Sequence, residues 1–212
     1  MIVKLPEANL HLETSIDEYE KYLNLQDRRL YLTSEIKTSE EESEGAYMST
    51  IDQLVDDIME FNRQDNKSKV KTRKPIRLYI NSPGGIVHEG FSLISAIELS
   101  ETPVYTINIG MRASMAFLIG ISGHKRFSLP NMMFLMHDGT NFAWDSGNKV
   151  QDKLEFDRRF SENVIKKHVL KHSNMKATEY DALSRVEYYM LPEDAKERNF
   201  IDEIVTDITT IL

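Results

Sequence analysis

The chain has 212 residues and 26 basic against 34 acidic side chains, a net charge of −8. That balance argues against nucleic acid as the main partner, since such binders carry a basic face, and the absence of cysteine excludes disulfides, thiolate nucleophiles and cysteine zinc sites. No run reaches the roughly 18 apolar residues of a membrane span, Met1 to Ser15 carry no leader pattern, and there is no phosphate-binding loop of the Gly-x-x-x-x-Gly-Lys-Ser/Thr type. The expectation is a cytoplasmic protein with no membrane partner, one large domain and a real core.

Residues 1–28 are polar with scattered apolar positions and read as an N-terminal arm; 29–212 read as the domain proper. Arg29–Leu32 is a short strand candidate, and the acidic, serine-rich Thr38 to Glu44 reads as a solvated loop. Between Met48 and Phe61, Ile51, Leu54, Val55, Ile58 and Met59 recur at helical spacing. Asn62 to Lys74 is charged and reads as a connection. Ile76–Ile80 is a strand that ends in Ser82-Pro83-Gly84-Gly85, and a helix follows with Phe91, Leu93, Ile94, Ile97 and Leu99 on its apolar faces. Val104–Ile109 is the next strand, broken by Gly110, and a second helix starts near Ser114. Phe127–Leu129 and Met132–Met136 read as strands, Trp144–Asn148 as a loop, and Lys149–His172 as one long charged helix. Strands alternate with helices, which indicates an α/β fold.

Three pieces of this pattern carry chemistry. Ser114 lies where a strand meets a helix, among small or flexible neighbours, where free N–H groups favour developing negative charge. Taken alone it reads as a helix cap. Gly84-Gly85 lets the backbone approach a substrate closely, although Pro-Gly turns are common. His137 ends an apolar strand, where a neutral imidazole can take a serine proton and return it to a leaving amine. Together these are the parts of an acyl-transfer site with two backbone N–H donors for the oxyanion, each worth about 3–4 kcal/mol. The remaining histidines, His11, His88, His124, His168 and His172, read as structural. His168 and His172 stand four apart on a helix and could share a metal, but no third ligand is signalled, and a solvated helix end is the expectation there, with no metal and no cofactor.

The ordered set Asn81-Ser-Pro-Gly-Gly85, Gly110-Met-Arg-Ala-Ser-Met115, Lys125-Arg-Phe-Ser-Leu-Pro-Asn131, Met136-His137 and the closing stretch Met190 to Asp202 resembles the proteolytic subunit of the Clp protease, from about Arg29 to Ile204. The resemblance implies a fold of the Clp protease and crotonase type, built of repeated β-β-α units with a protruding handle helix at about 140–172. It makes Ser114 the nucleophile, His137 the general base, and Gly85 and Met115 the oxyanion-hole donors. The third triad member matches Glu187 where relatives have aspartate; Asp181 and Asp138 are the alternatives. It further implies peptide or unfolded-protein substrates, a homo-oligomer of two stacked heptameric rings, and an AAA+ unfoldase that supplies ATP hydrolysis from a separate chain.

Several positions depart from that pattern. Arg112 stands where relatives have glutamine or a small residue. Asp138-Gly139 follows the histidine in place of Gln-Pro. Thr140 to Trp144 replaces the glycine-rich strand that lines the substrate, with Phe142 and Trp144 lining a cleft or packing at a subunit contact. Tyr79, Ile107, Phe127 and Leu129 fit the surface pocket where relatives dock the unfoldase, while Arg77 replaces an apolar residue there. These departures keep two other readings open: a ring subunit that scaffolds without catalysis, and an acyl-CoA enzyme of the crotonase fold, which also pairs backbone N–H groups on an oxyanion.

Overall fold

The computed structural model describes residues 22–38, 50–69, 71–139 and 146–212. The remainder of the arm, most of the acidic loop, and the 140–145 segment with Phe142 and Trp144 lie outside the described residues, as does His11. The centre of the fold is a seven-stranded, mostly parallel sheet. Strands β1 (Arg29–Leu32), β2 (Ile76–Ser82), β3 (Val104–Ala113), β4 (Lys125–Ser128) and β7 (Glu203–Ile204) lie side by side in that order. The end of β3 turns to a different neighbour, β5 (Met133–Met136), which pairs antiparallel with β6 (Tyr188–Met190).

Helices α1 (Thr50–Ser68), α2 (Val87–Leu99) and α3 (Met115–Ile121) pack on the sheet. Their inward residues, among them Ile58, Ile97 and Phe117, join Leu78, Ile80 and Val104 of the strands in one apolar core. Leu99, expected on an apolar face, is exposed. A smaller cluster forms on the opposite side from Tyr79, Ile107, Phe127, Val205 and Ile211. The C-terminal 3-10 turn (Ile208–Ile211) places Ile211 against residues expected to form a docking pocket, and the Tyr79 hydroxyl donates to Ile211 O at 2.6 Å.

Helix α1 and strand β3 run past their expected ends, each because polar side chains find partners on neighbouring segments. Helix α1 continues through the charged stretch to Ser68. Asp65 is buried in its inward face, held by Arg28 at 2.5 Å and by the Thr102 hydroxyl at 2.8 Å. Asn62 bridges Ser100 and the Thr102 N–H. Strand β3 passes through Gly110 as far as Ala113. Where its ladder with β2 shifts register between Ile80 and Ser82, side-chain amides replace backbone partners: Asn81 Oδ1 accepts from Met111 N and Asn108 Oδ1 from Gly110 N.

The long C-terminal helix is likewise not uniform. It comprises α4 (Gly147–Phe160), a π-helical turn (Ser161–Ile165) and α5 (Lys166–Lys171). No residue of α4 is buried, and Leu154 and Phe156 stay exposed. Short helices α6 (Ala177–Leu183) and α7 (Pro192–Glu197) complete the chain around β6. Among the described residues no helix is long and apolar enough to cross a membrane.

Candidate active site

The geometry around Ser114 follows from the way β3 ends. Ala113 is still paired with Leu135 of β5, and the next residue, Ser114, donates its N–H to Leu135 O at 3.0 Å. The chain then turns sharply into α3, with Ser114 at φ 53°, ψ −124°. A non-glycine residue in this region costs about 1–3 kcal/mol and persists only where its surroundings hold it. The same strained strand-to-helix turn exposes nucleophilic serines elsewhere. Ser114 occupies the N-cap position, yet its side chain makes no capping bond. The reading of Ser114 as a mere cap is therefore excluded: its hydroxyl is not used for that purpose.

The glycine loop supports this turn from above. The buried Ser82 hydroxyl accepts from Gly84 N at 3.1 Å and donates to Ser34 O at 2.6 Å, which fixes the loop to the segment before it. Gly84, at φ 95°, lies so close to the serine turn that a Cβ would stand 2.7 Å from both Ala113 O and Met115 N. Only glycine fits there. At the next residue the backbone forms a parallel bridge with Ile36, using Gly84 O and Ile86 N. In such a bridge the N–H of Gly85 itself points away from Ile36. Met115 N is the first N–H of α3, and helix geometry leaves it without an intrahelical acceptor. The glycine loop and the first turn of α3 thus meet at Ser114 through Gly84 and Met115 N.

The sheet register also delivers the histidine and the carboxylate. Strand β5 runs beside β3, so His137 emerges two residues beyond Leu135, whose carbonyl holds Ser114. Its antiparallel partner β6 pairs Met136 with Tyr188, so His137 and Glu187 come next, opposite one another. His137 Nδ1 lies 3.7 Å from Glu187 Oε1, an ion-pair distance longer than a hydrogen bond. Glu187 is exposed, and its other oxygen accepts from the Tyr189 hydroxyl at 2.5 Å. That hydrogen bond raises the Tyr189 pKa. Asp181 is committed elsewhere, 2.6 Å from Lys166 Nζ. Asp138 is exposed beside the cleft. Among the described residues Ser114 Oγ makes no hydrogen bond to His137, although both line one cleft; such bonds are often long before substrate binds.

That cleft is lined on its other sides by apolar groups, chiefly Val87, Phe117, Ile165, Val169 and Tyr180. Desolvation pushes the Tyr180 phenol up to about 12, so it enters the cleft as a neutral wall. Ser161 and Ile165 come from the π-helical turn. Neither they nor Tyr180 nor Tyr189 was marked by sequence reasoning. Helical periodicity does not announce a π-turn, and the partner of Tyr189 became visible only with the register of β6.

Arg112, two residues before the serine, is wholly buried below the turn. Its guanidinium stacks 4.7 Å from the Phe134 ring centre and reaches Phe200 O at 3.2 Å. Burial, then the nearby Arg126 charge, draws its pKa down to about 9, opposed by Asp202, and it stays cationic at neutral pH. It supports the floor of the turn and does not enter the cleft.

The remaining histidines divide. His88 is exposed, and His124 accepts the Val104 N–H at 3.1 Å. His168 is buried, against the expectation of a solvated helix end, and burial draws its pKa down to about 4.

An α/β sheet with a strained serine turn, a glycine loop against it and a histidine in its register is the framework of a hydrolase site. The sequence model of the Clp protease family matches residues 14–207. The chain belongs to that family, and its general role is proteolytic.

Proposed function

We propose that this chain is a serine endopeptidase, the proteolytic subunit of a self-compartmentalised Clp-type protease. The observation that carries the proposal is Ser114: a strained residue at a helix start whose hydroxyl is not spent on capping and which shares a cleft with His137. His137 takes the Ser114 proton as Oγ attacks the scissile carbonyl. The oxyanion accepts from Gly85 N–H and Met115 N–H. Collapse of the intermediate releases the amine, protonated by His137, and leaves an acyl-serine. Water, deprotonated by the same imidazole, then frees the acid and restores the serine. Glu187 orients His137 through Nδ1, and Tyr189 holds Glu187. The apolar wall of the cleft favours an apolar substrate side chain next to the scissile bond.

Assembly belongs to the same proposal. The helix α4 with its exposed Leu154 and Phe156 is the handle of a repeated β-β-α fold of the Clp protease and crotonase type. Packing handles between two heptameric rings covers those side chains. An AAA+ unfoldase delivers unfolded substrates and supplies the ATP dependence, and docks at the face where Ile211 of the C-terminal turn packs on Tyr79 and Phe127, a segment it must displace or avoid.

A specific observation favours one other reading. The 3.7 Å gap from His137 to an exposed Glu187 suits a ring subunit that scaffolds with weak or no catalysis. Turnover of short fluorogenic peptides by the purified full-length chain separates the two. The proposal expects hydrolysis that Ser114→Ala removes; hydrolysis at the same rate by both proteins, or by neither, contradicts it.

A further inference from the structure

Away from the serine cleft, side chains from two helices converge on one point. Glu98 lies in the last turn of α2, while His168 and His172 stand one turn apart on and just after α5. His172 Nε2 is 2.8 Å from Glu98 Oε1, and His168 Nδ1 is 3.6 Å from the same oxygen. Each of the three residues can offer one ligand atom within 4.8 Å of the others. Ligands about 2.0–2.1 Å from a tetrahedral zinc ion stand roughly 3.3–3.4 Å apart, a spacing that the 2.8 and 3.6 Å distances from Glu98 Oε1 to the two imidazoles bracket.

The hydrogen bonds fix which nitrogen of His168 is free. Ser122 Oγ donates its proton to Leu118 O at 2.9 Å, so it can only accept from His168 Nε2, 3.2 Å away. Leu118 O, 3.1 Å from Nε2, is also an acceptor. Nε2 therefore carries the proton and Nδ1 presents a lone pair, aimed at the Glu98 carboxylate. A backbone carbonyl on the far nitrogen is the support that metal-binding histidines ordinarily have. Lys171 Nζ, 2.9 Å from Glu98 Oε1, explains why the carboxylate is there, but not why the lone pair of a buried imidazole faces it. Two acceptors turned toward each other form a seat for a cation, which would displace the Lys171 ammonium and the His172 Nε2 proton that Glu98 Oε1 accepts in its absence.

We propose that Glu98, His168 and His172 bind a divalent transition-metal cation of the zinc class, with water completing the shell. Two imidazoles select such an ion over magnesium or calcium, which prefer oxygen ligands throughout. The exposed Lys171 side chain swings away as the cation takes its place on Glu98. The ion joins α2 to α5 and, through His168 and Leu118 O, braces α3, the helix that begins at Ser114. It is a structural clamp outside the cleft, and the inference does not depend on the proposed peptidase activity.

The test uses full-length protein stripped of metal with a chelator. Zinc is titrated by calorimetry, cobalt(II) by visible absorption, and unfolding is followed with zinc or magnesium present. The expected result is one zinc per chain, ligand-field bands of a low-coordinate cobalt site, and a rise in unfolding temperature with zinc alone. His172→Gln and Glu98→Gln should each weaken zinc binding by about 100-fold or more, at least the loss that follows from removing an outer-shell partner. His88→Gln, on an exposed histidine, should leave it unchanged. Should either ligand variant fail to fold, Lys171→Ala decides: removal of the competing ammonium should tighten zinc binding several-fold. Wild-type affinity in the ligand variants, less than one zinc per chain, or no tightening in Lys171→Ala would overturn the assignment.

Discussion

Around Ser114 nearly every restraint comes from the backbone, whereas around Glu187 it comes from side chains. The serine turn is held by Leu135 O, by the ladder that ends at Ala113, and by the α carbon of Gly84 packed against it. Its neighbours Ala113 and Met115 are buried. Glu187, exposed just before the edge strand β6, has the Tyr189 hydroxyl and a 3.7 Å approach to His137. Backbone restraints in a packed environment give one position, while an exposed side chain on a side chain leaves rotamer freedom. The Ser114 end is thus set by the fold alone, and in the proposed mechanism the Glu187 end tightens when substrate arrives.

The comparison can be broken most severely at the histidine that joins both ends. His137→Ala should lower kcat for peptide hydrolysis by about 10⁶-fold, the order seen when the base of a serine–histidine pair is removed. A loss under tenfold would mean that another group serves as base. At the nucleophile end, Gly84→Ala places a methyl group against Ala113 O and Met115 N at positive φ. It should destabilise the fold by about 1–3 kcal/mol in denaturant unfolding and reduce activity in the protein that remains folded. Wild-type stability would show that the loop is not packed on the turn.

At the carboxylate end the effects should be smaller. Glu187→Gln should cost about 10²-fold in kcat, less than the roughly 10⁴-fold lost when a buried triad aspartate becomes asparagine. Tyr189→Phe should cost only a few-fold, and it should have no added effect in a Glu187→Gln background if its hydroxyl acts through that carboxylate. Additive losses in the double variant would uncouple the pair.

The smallest effect is on stability alone, far from the cleft. The hydrogen bonds from Arg28 hold the Asp65 carboxyl below its usual value, and the Thr102 hydroxyl adds to this against the cost of burial. The unfolded chain takes up this proton at higher pH than the folded one. The stabilisation is therefore complete above about pH 4 and is lost as pH falls through the lowered folded value. Unfolding midpoints measured across that acid range should fall more steeply for the wild type than for Asp65→Asn.

The same contrast explains what could be read from the sequence. Ser114 and Gly84-Gly85 were legible as candidates because backbone turns leave small residues at fixed places in the chain, and His137 because it ends an apolar strand. From apolar runs the strands and the serine-bearing helix, though not the ends of β2 and β3, were legible. Asp65, Asn62 and Asn81 were not, because a polar residue that finds its partner 30 to 40 residues away looks like a loop residue until the fold brings the two together. Glu98 was invisible as a companion of His168 and His172 for the same reason. The cover that Ile211 provides over Tyr79 and Phe127 depends on a contact spanning 132 residues, and no local pattern signals it.

The central claim is that Ser114 is the nucleophile. Reaction of the full-length protein with a fluorophosphonate, followed by peptide mapping in a mass spectrometer, tests it most directly. The account predicts one adduct, on Ser114, lost in Ser114→Ala and much slowed in His137→Ala. Labelling at another residue, or undiminished labelling of Ser114→Ala, would contradict it.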